Sequence, residues 1–113
     1  MKRSVADRIS DIQQAIERCR QFATFSSSQD PIIQAMANYA IERNLEIIGE
    51  AAKHLPSELT NKAPQVEWNA IRGFRNVLAH EYFGIDARII EAILATQLEE
   101  LDNALNIWKG EEA

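Results

Sequence analysis

Cysteine, proline, glycine and basic charge are all scarce in this chain, and each scarcity excludes something. The single cysteine, Cys19, rules out an intrachain disulfide and any zinc cluster built on several thiolates. It falls on the apolar stripe of the first predicted helix, where a small packed side chain is expected. Only three prolines and four glycines interrupt the chain, which leaves long segments that favour helix. Seventeen acidic against twelve basic residues give a net charge of −5, which argues against a broad nucleic-acid-binding surface because phosphate contacts need concentrated Lys and Arg. Any such role is therefore local, or draws on charge from a second subunit. No apolar run approaches about 18 residues, so no membrane span is expected. Met1-Lys2-Arg3 leads directly into an amphipathic segment without a signal-type apolar block, and a cytoplasmic protein is expected.

What remains is helical pattern. A length of 113 residues predicts one domain, 1–113, with a single modest core. Val5, Ile9, Ile12, Ile16, Cys19 and Phe22 recur at spacings of three and four, with Ser4 or Asp7 as the cap. Three serines, 26–28, end that helix. Asp30-Pro31 supplies a cap and a proline at the first helical position of a second helix, predicted from 31 to about 55 with Ile33, Met36, Ala40, Ile47, Ala51 and Leu55 inward. Residues 56–64 form a polar connector with room for one helical turn from Ser57. A third helix starts between Gln65 and Trp68 and is broken at Phe83-Gly84. Asp86 caps a fourth, whose inward stripe is Ile90, Ile93, Gln97, Leu101, Leu105 and Trp108, and residues 110–113 are expected to fray. No segment alternates apolar and polar residues in the manner of a strand. The expected fold is an all-α, antiparallel, up-and-down four-helix bundle.

Chemistry concentrates in Arg75-Asn76-Val77-Leu78-Ala79-His80-Glu81-Tyr82. Guanidinium offers permanent charge and a planar donor fork for phosphate. Imidazole exchanges a proton near neutral pH. A phenol binds, or accepts a transferred group. At about 100° per residue from Trp68, Arg72, Asn76 and His80 fall near 40°, 80° and 120° as one polar strip, and Arg75 lies on its border near 340°. Arg75 and His80 are then about 140° apart, too far to grip one phosphate from one straight helix. Either the helix loosens before His80, or two copies combine their motifs across a two-fold axis. Gly49, inside the second helix, costs roughly 1 kcal/mol against alanine, which close approach of another helix would offset. Glu50 is expected near the inward face and is a candidate partner for Arg75. The two histidines, His54 and His80, lack a metal-ligand spacing, so no metal and no cofactor is expected. Trp68 and Trp108 are expected as core or interface anchors.

Leu45-Glu46-Ile47-Ile48-Gly49-Glu50-Ala51-Ala52, Trp68, and the run from Arg75 through Tyr82 to Phe83-Gly84-Ile85-Asp86 closely resemble the HepT-like branch of the HEPN superfamily. The resemblance follows the helix order of nearly the whole chain. It implies a HEPN-like bundle and a metal-independent endoribonuclease acting as a homodimer. It further implies the toxin of a type VII-like toxin–antitoxin pair, whose partner is an MntA-type nucleotidyltransferase antitoxin. By matching positions, Arg75 and His80 would be catalytic and Asn76, their polar neighbour, would bind RNA; from its place on the same strip Arg72 would bind RNA with them, and Glu50 would support Arg75 by pairing with it. Tyr82 would carry the AMP groups with which the antitoxin silences the toxin. A different class of function fits the acidic chain: a non-catalytic subunit presenting nucleotide or substrate to a minimal nucleotidyltransferase. A plain structural dimerisation bundle is a third.

Overall fold

The computed structural model describes residues 3–74 and 91–112, and among these it is helical without a strand. The helix α1 spans Val5–Ala23, α2 Pro31–Lys53, α3 Ser57–Asn61 and α4 Trp68–Arg72. A π-helical turn, Ile93–Leu98, leads into α5, Glu99–Glu112. The all-α expectation stands, and the short turn foreseen in the 56–64 connector is α3.

Local chemistry sets the ends of α1 and α2. Ser4 and Asp7 act together: the Asp7 amide donates to Ser4 Oγ at 3.0 Å, and the Ser4 amide donates to the Asp7 carboxylate at 3.2 Å. The bond from the Ser4 amide, and after it the Ser4 hydroxyl beside the same carboxylate, hold the Asp7 carboxyl below its ordinary value. Ser26, its hydroxyl donating to Ala23 O at 2.8 Å, closes the end of α1. Gln34 Nε2 donates to Ser26 O at 3.1 Å and ties that turn to the second helix. Asp30 caps α2 by accepting from the Ile32 amide at 2.9 Å, with Pro31 at the first helical position.

The core joins α1 to α2 and α5. Ile9, Ile12, Ile16 and Cys19 of α1 meet Ile41, Leu45 and Ile48 of α2 and Leu101 and Leu105 of α5. Cys19 is fully buried, as its place on the apolar stripe predicted, and burial pushes its thiol up to about 12. One polar cluster docks α5 on α1. Gln13 Nε2 donates to Asp102 Oδ1 at 3.0 Å and to Asn106 Oδ1 at 2.8 Å, while Lys109 Nζ donates to Gln13 Oε1 at 2.9 Å. Trp68 is buried with its indole N–H donating to Ala63 O at 3.0 Å, and Trp108 is half-buried under the Lys62 ammonium, 5.1 Å from its ring centre.

Several expectations are corrected. In α2, Ile33 and Met36 are exposed, and Ala40 and Ile47 only half-buried; the inward residues are Ala37, Ile41, Leu45, Ile48 and Ala52, with Ala51 and the following Leu55 as foreseen. The first half of α2 is apolar on more than one side, so periodicity alone cannot say which stripe faces α1. In the last helix Gln97 is half-buried and Leu98 fully buried. The π turn inserts one residue into the helical repeat and moves the stripe from Gln97 to Leu98. The Thr96 hydroxyl donates to Ala92 O at 2.7 Å within that turn. The C-terminal tail, expected to fray, continues as helix through Gly110 to Glu112. Ile90 and the Asp86 cap lie outside the described residues.

Gly49 does what its cost required. A Cβ at that position would lie 3.0 Å from Ile71 O, 3.6 Å from Arg72 O and 3.7 Å from Phe74 Cβ. The backbone of α4 therefore rests directly on the backbone of α2. Gly49→Ala gains about 1 kcal/mol of helix propensity, but it drives a methyl group against a buried carbonyl that cannot turn aside, and overpacking of this kind costs about 1–3 kcal/mol. The expected outcome in urea unfolding is a lower midpoint for Gly49→Ala and a lower one still for Gly49→Val.

Candidate active site

The site begins where α4 meets α2. Trp68 and Ile71 are buried, and Arg72, the last residue of α4, is half-buried with its carbonyl against Gly49. Gly73 caps the helix, its amide donating to Asn69 O at 3.1 Å and Ala70 O at 3.2 Å. Phe74, again helical, is buried. The described chain stops there, one peptide bond before Arg75. Arg75, Asn76, His80 and Tyr82 lie outside the described residues, so their mutual geometry is not part of the structure.

Two of the predicted site residues are placed. Arg72 stands at the C-terminal end of α4, beside the contact that fixes that helix. Glu50 is exposed, not inward, and accepts from Lys53 Nζ at 3.2 Å. Gly49, its neighbour, takes the inward position. The third helix was expected to run unbroken from Gln65–Trp68 through the motif; α4 is instead capped at Gly73. Angles counted from Trp68 on one straight helix therefore do not extend past that residue.

An acidic group that the motif-centred reading passed over lies on the same side of α2. Glu42 precedes Gly49 by seven residues, two turns of helix, so the two positions differ by only about 20° around the axis. It is half-buried, with Glu46 one turn on. Asn38, one turn before it, has a buried Oδ1 without a hydrogen-bond partner among the described residues. Burial first, and the Glu46 charge second, raise the Glu42 carboxyl above its ordinary value. The seven-residue offset from Gly49 was the signal in the sequence that marks this strip. Perturbed carboxyls of this kind gather at functional sites and at structural charge clusters alike.

The family described as Ribonuclease HepT-like matches residues 12–107. A protein named "Probable ribonuclease HepT" from Thermococcus cleftensis is 37% identical over 90 residues, covering 80% of this chain and 82% of that one. Two further relatives have names that carry the word RNase. The one from Caldanaerobacter subterraneus is 40% identical over 77% of this chain and 74% of its own. The one from Methanocaldococcus jannaschii is 32% identical over 94% of this chain and 97% of its own. No solved structure matches the chain.

The raised Glu42 carboxyl gives a signed pH effect. With its folded pKa above the unfolded one, the stability it contributes is full below the unfolded pKa and is lost as pH rises through the folded value. A carboxyl titration followed by NMR should place Glu42 above an ordinary glutamate. Glu46→Gln should lower it only in part, because burial is the larger cause. An unshifted Glu42 would remove this strip from consideration.

Proposed function

We propose, starting from the fact that this chain belongs to the family of HepT-like ribonucleases, that it is the toxin of a toxin–antitoxin pair and cuts RNA in the cytoplasm. The observation that carries the reading is the R-x4-H-x-Y motif, Arg75, His80 and Tyr82, within the matched residues. The motif starts one peptide bond beyond a backbone held against Gly49. Two copies are proposed to complete the cleft as a homodimer, which also concentrates positive charge locally in an acidic chain.

His80 takes the proton of an RNA 2′-hydroxyl as that oxygen bonds to the adjacent phosphorus. The bond from phosphorus to the 5′-oxygen breaks, the leaving oxygen gains a proton, and the products are a 2′,3′-cyclic phosphate and a 5′-hydroxyl. Arg75, with Arg72, carries the charge that builds on the phosphoryl oxygens. Asn76 orients the strand, and Glu50 supports the arginines. The nucleophile is activated by proton removal, so the reaction calls on no metal or cofactor. An MntA-type nucleotidyltransferase antitoxin is the proposed partner. In that modification Tyr82 Oη attacks the α-phosphorus of ATP, pyrophosphate leaves, and the phenolic proton is released. The added phosphate brings bulk and negative charge beside the motif and closes it to RNA.

The chain's charge of −5 favours a second reading, a non-catalytic subunit that binds nucleotide for the transferase. The two separate on turnover. The purified protein should cleave RNA in the presence of a chelator, leaving cyclic phosphate ends. His80→Ala and Arg75→Ala should each lower the rate on the order of 100-fold or more. Nucleotide binding with no cleavage by the wild type would favour the second reading; cleavage that survives His80→Ala would remove the assigned mechanism.

Co-expression with the proposed antitoxin should add AMP mass to the intact chain, and Tyr82→Phe should abolish the addition. An unchanged adduct in that variant places the modification elsewhere.

A further inference from the structure

A cleft of about 860 Å³ opens between the first half of α1, the start of α3 and the end of α5, and it holds none of the residues assigned above to RNA or to AMP. At one end it is bounded by the polar cluster of Gln13, Asp102, Asn106 and Lys109 that joins α1 to α5. Val5, Ile9, Pro56 and Trp108 give it apolar walls, and Ile9 is only 2% exposed. Two carboxylates also line it, Glu58 of α3 and Glu112 of α5. Neither forms an ion pair among the described residues. Two cations flank the cleft, and both are engaged. Lys109 Nζ donates to Gln13 Oε1 at 2.9 Å, and Lys62, above the Trp108 ring, pairs with Glu111 at 3.5 Å. Sites for small molecules occupy about 300–1,000 Å³ and combine apolar walls with a few polar groups, as this cleft does.

We propose that the cleft binds a linear aliphatic polyamine, its methylene stems against the apolar walls and its ammonium groups on Glu58 and Glu112. The lining selects this class by exclusion. A phosphate, free or in RNA, would meet two carboxylates of its own sign. A divalent cation gains nothing from apolar walls. Among the described residues, moreover, no three His, Cys, Asp or Glu side chains are grouped to hold one. A wholly apolar ligand would take water from both carboxylates and return no hydrogen bond. A methylene chain with charged ends satisfies both parts of the surface, as a lysine does when its stem lies on apolar ground and its ammonium stays polar. Glu58 and Glu112 stand on different elements, so two separated ammonium groups reach both where a single-headed amine reaches one. Length agrees as well. The lining follows α1 from Val5 to Gln14, roughly 13 Å of helix, which accommodates an extended spermidine. The net charge of −5 draws a polycation towards the chain before contact.

The inference stands apart from the ribonuclease reading, and its test needs no turnover. Spermidine is titrated into the full chain at low salt and followed by proton–nitrogen NMR. The Trp108 indole and the Val5 and Ile9 amides should shift to saturation. The Trp68 indole, held by Ala63 O, should stay in place and serves as an internal control. Glu58→Gln and Glu112→Gln should each raise the dissociation constant roughly 10-fold. Ser10→Lys, which sets a cation in the cleft, should raise it at least as much. All three positions are exposed, so helical circular dichroism should stay near wild type. Mg²⁺ at matched ionic strength should not reproduce the Trp108 shift. An unmoved Trp108 indole overturns the inference. So does an equal shift with Mg²⁺, or an unchanged affinity in any of the three variants.

Discussion

The contact between Gly49 and the carbonyl of Ile71 is the constraint on which the functional end of this protein depends. Two helix backbones approach there to a distance that leaves no room for a side chain. Such a contact tolerates little sliding or rolling of α4, because its neighbours are main-chain atoms and not flexible side chains. Trp68 pins the start of α4 through its indole hydrogen bond, and Phe74 buries its ring just past the end. The chain is therefore delivered to Arg75 from a fixed backbone, the condition under which a short sequence motif can be held on a rigid element.

Much of the scaffold was legible because short-range chemistry decides it. Ser4, Asp7, Asp30 and Pro31 each act within one turn of chain, and they start helices where their types predict. The glycine in mid-helix was legible for a related reason: its local cost demanded a tertiary explanation. The inward face of α2 was not, since Ile33 and Met36 make as good a stripe as Ala37 and Ile41. Which stripe is buried depends on α1, a contact that periodicity does not encode. The π turn is invisible for the same reason, as nothing in Ile93 to Leu98 announces an extra residue in the repeat. Glu50 was placed inward through its neighbourhood, but one residue is 100° of helix, and Gly49 takes that position. For the motif itself, residue types and spacing carry the chemistry, and the match over residues 12–107 carries the family.

The two halves of α2 divide the labour of the fold. Its C-terminal half carries the Gly49 contact and, two turns earlier on that side, the Glu42 carboxyl. Its N-terminal half carries the uncharged outer face. The same helix thus links the backbone that leads into the motif to an exposed, uncharged apolar surface. A 23-residue helix spans both without a break, so the two ends are held in fixed relation.

Cys19 has a practical consequence. Its sulfur is fully buried, and burial raises its thiol to about 12, so it offers almost no thiolate to an alkylating reagent at neutral pH. A protein whose only native thiol is silent needs no cysteine-free background. One cysteine introduced at a surface position would accept a fluorophore or spin label alone, and the native chain would serve as its own unlabelled control.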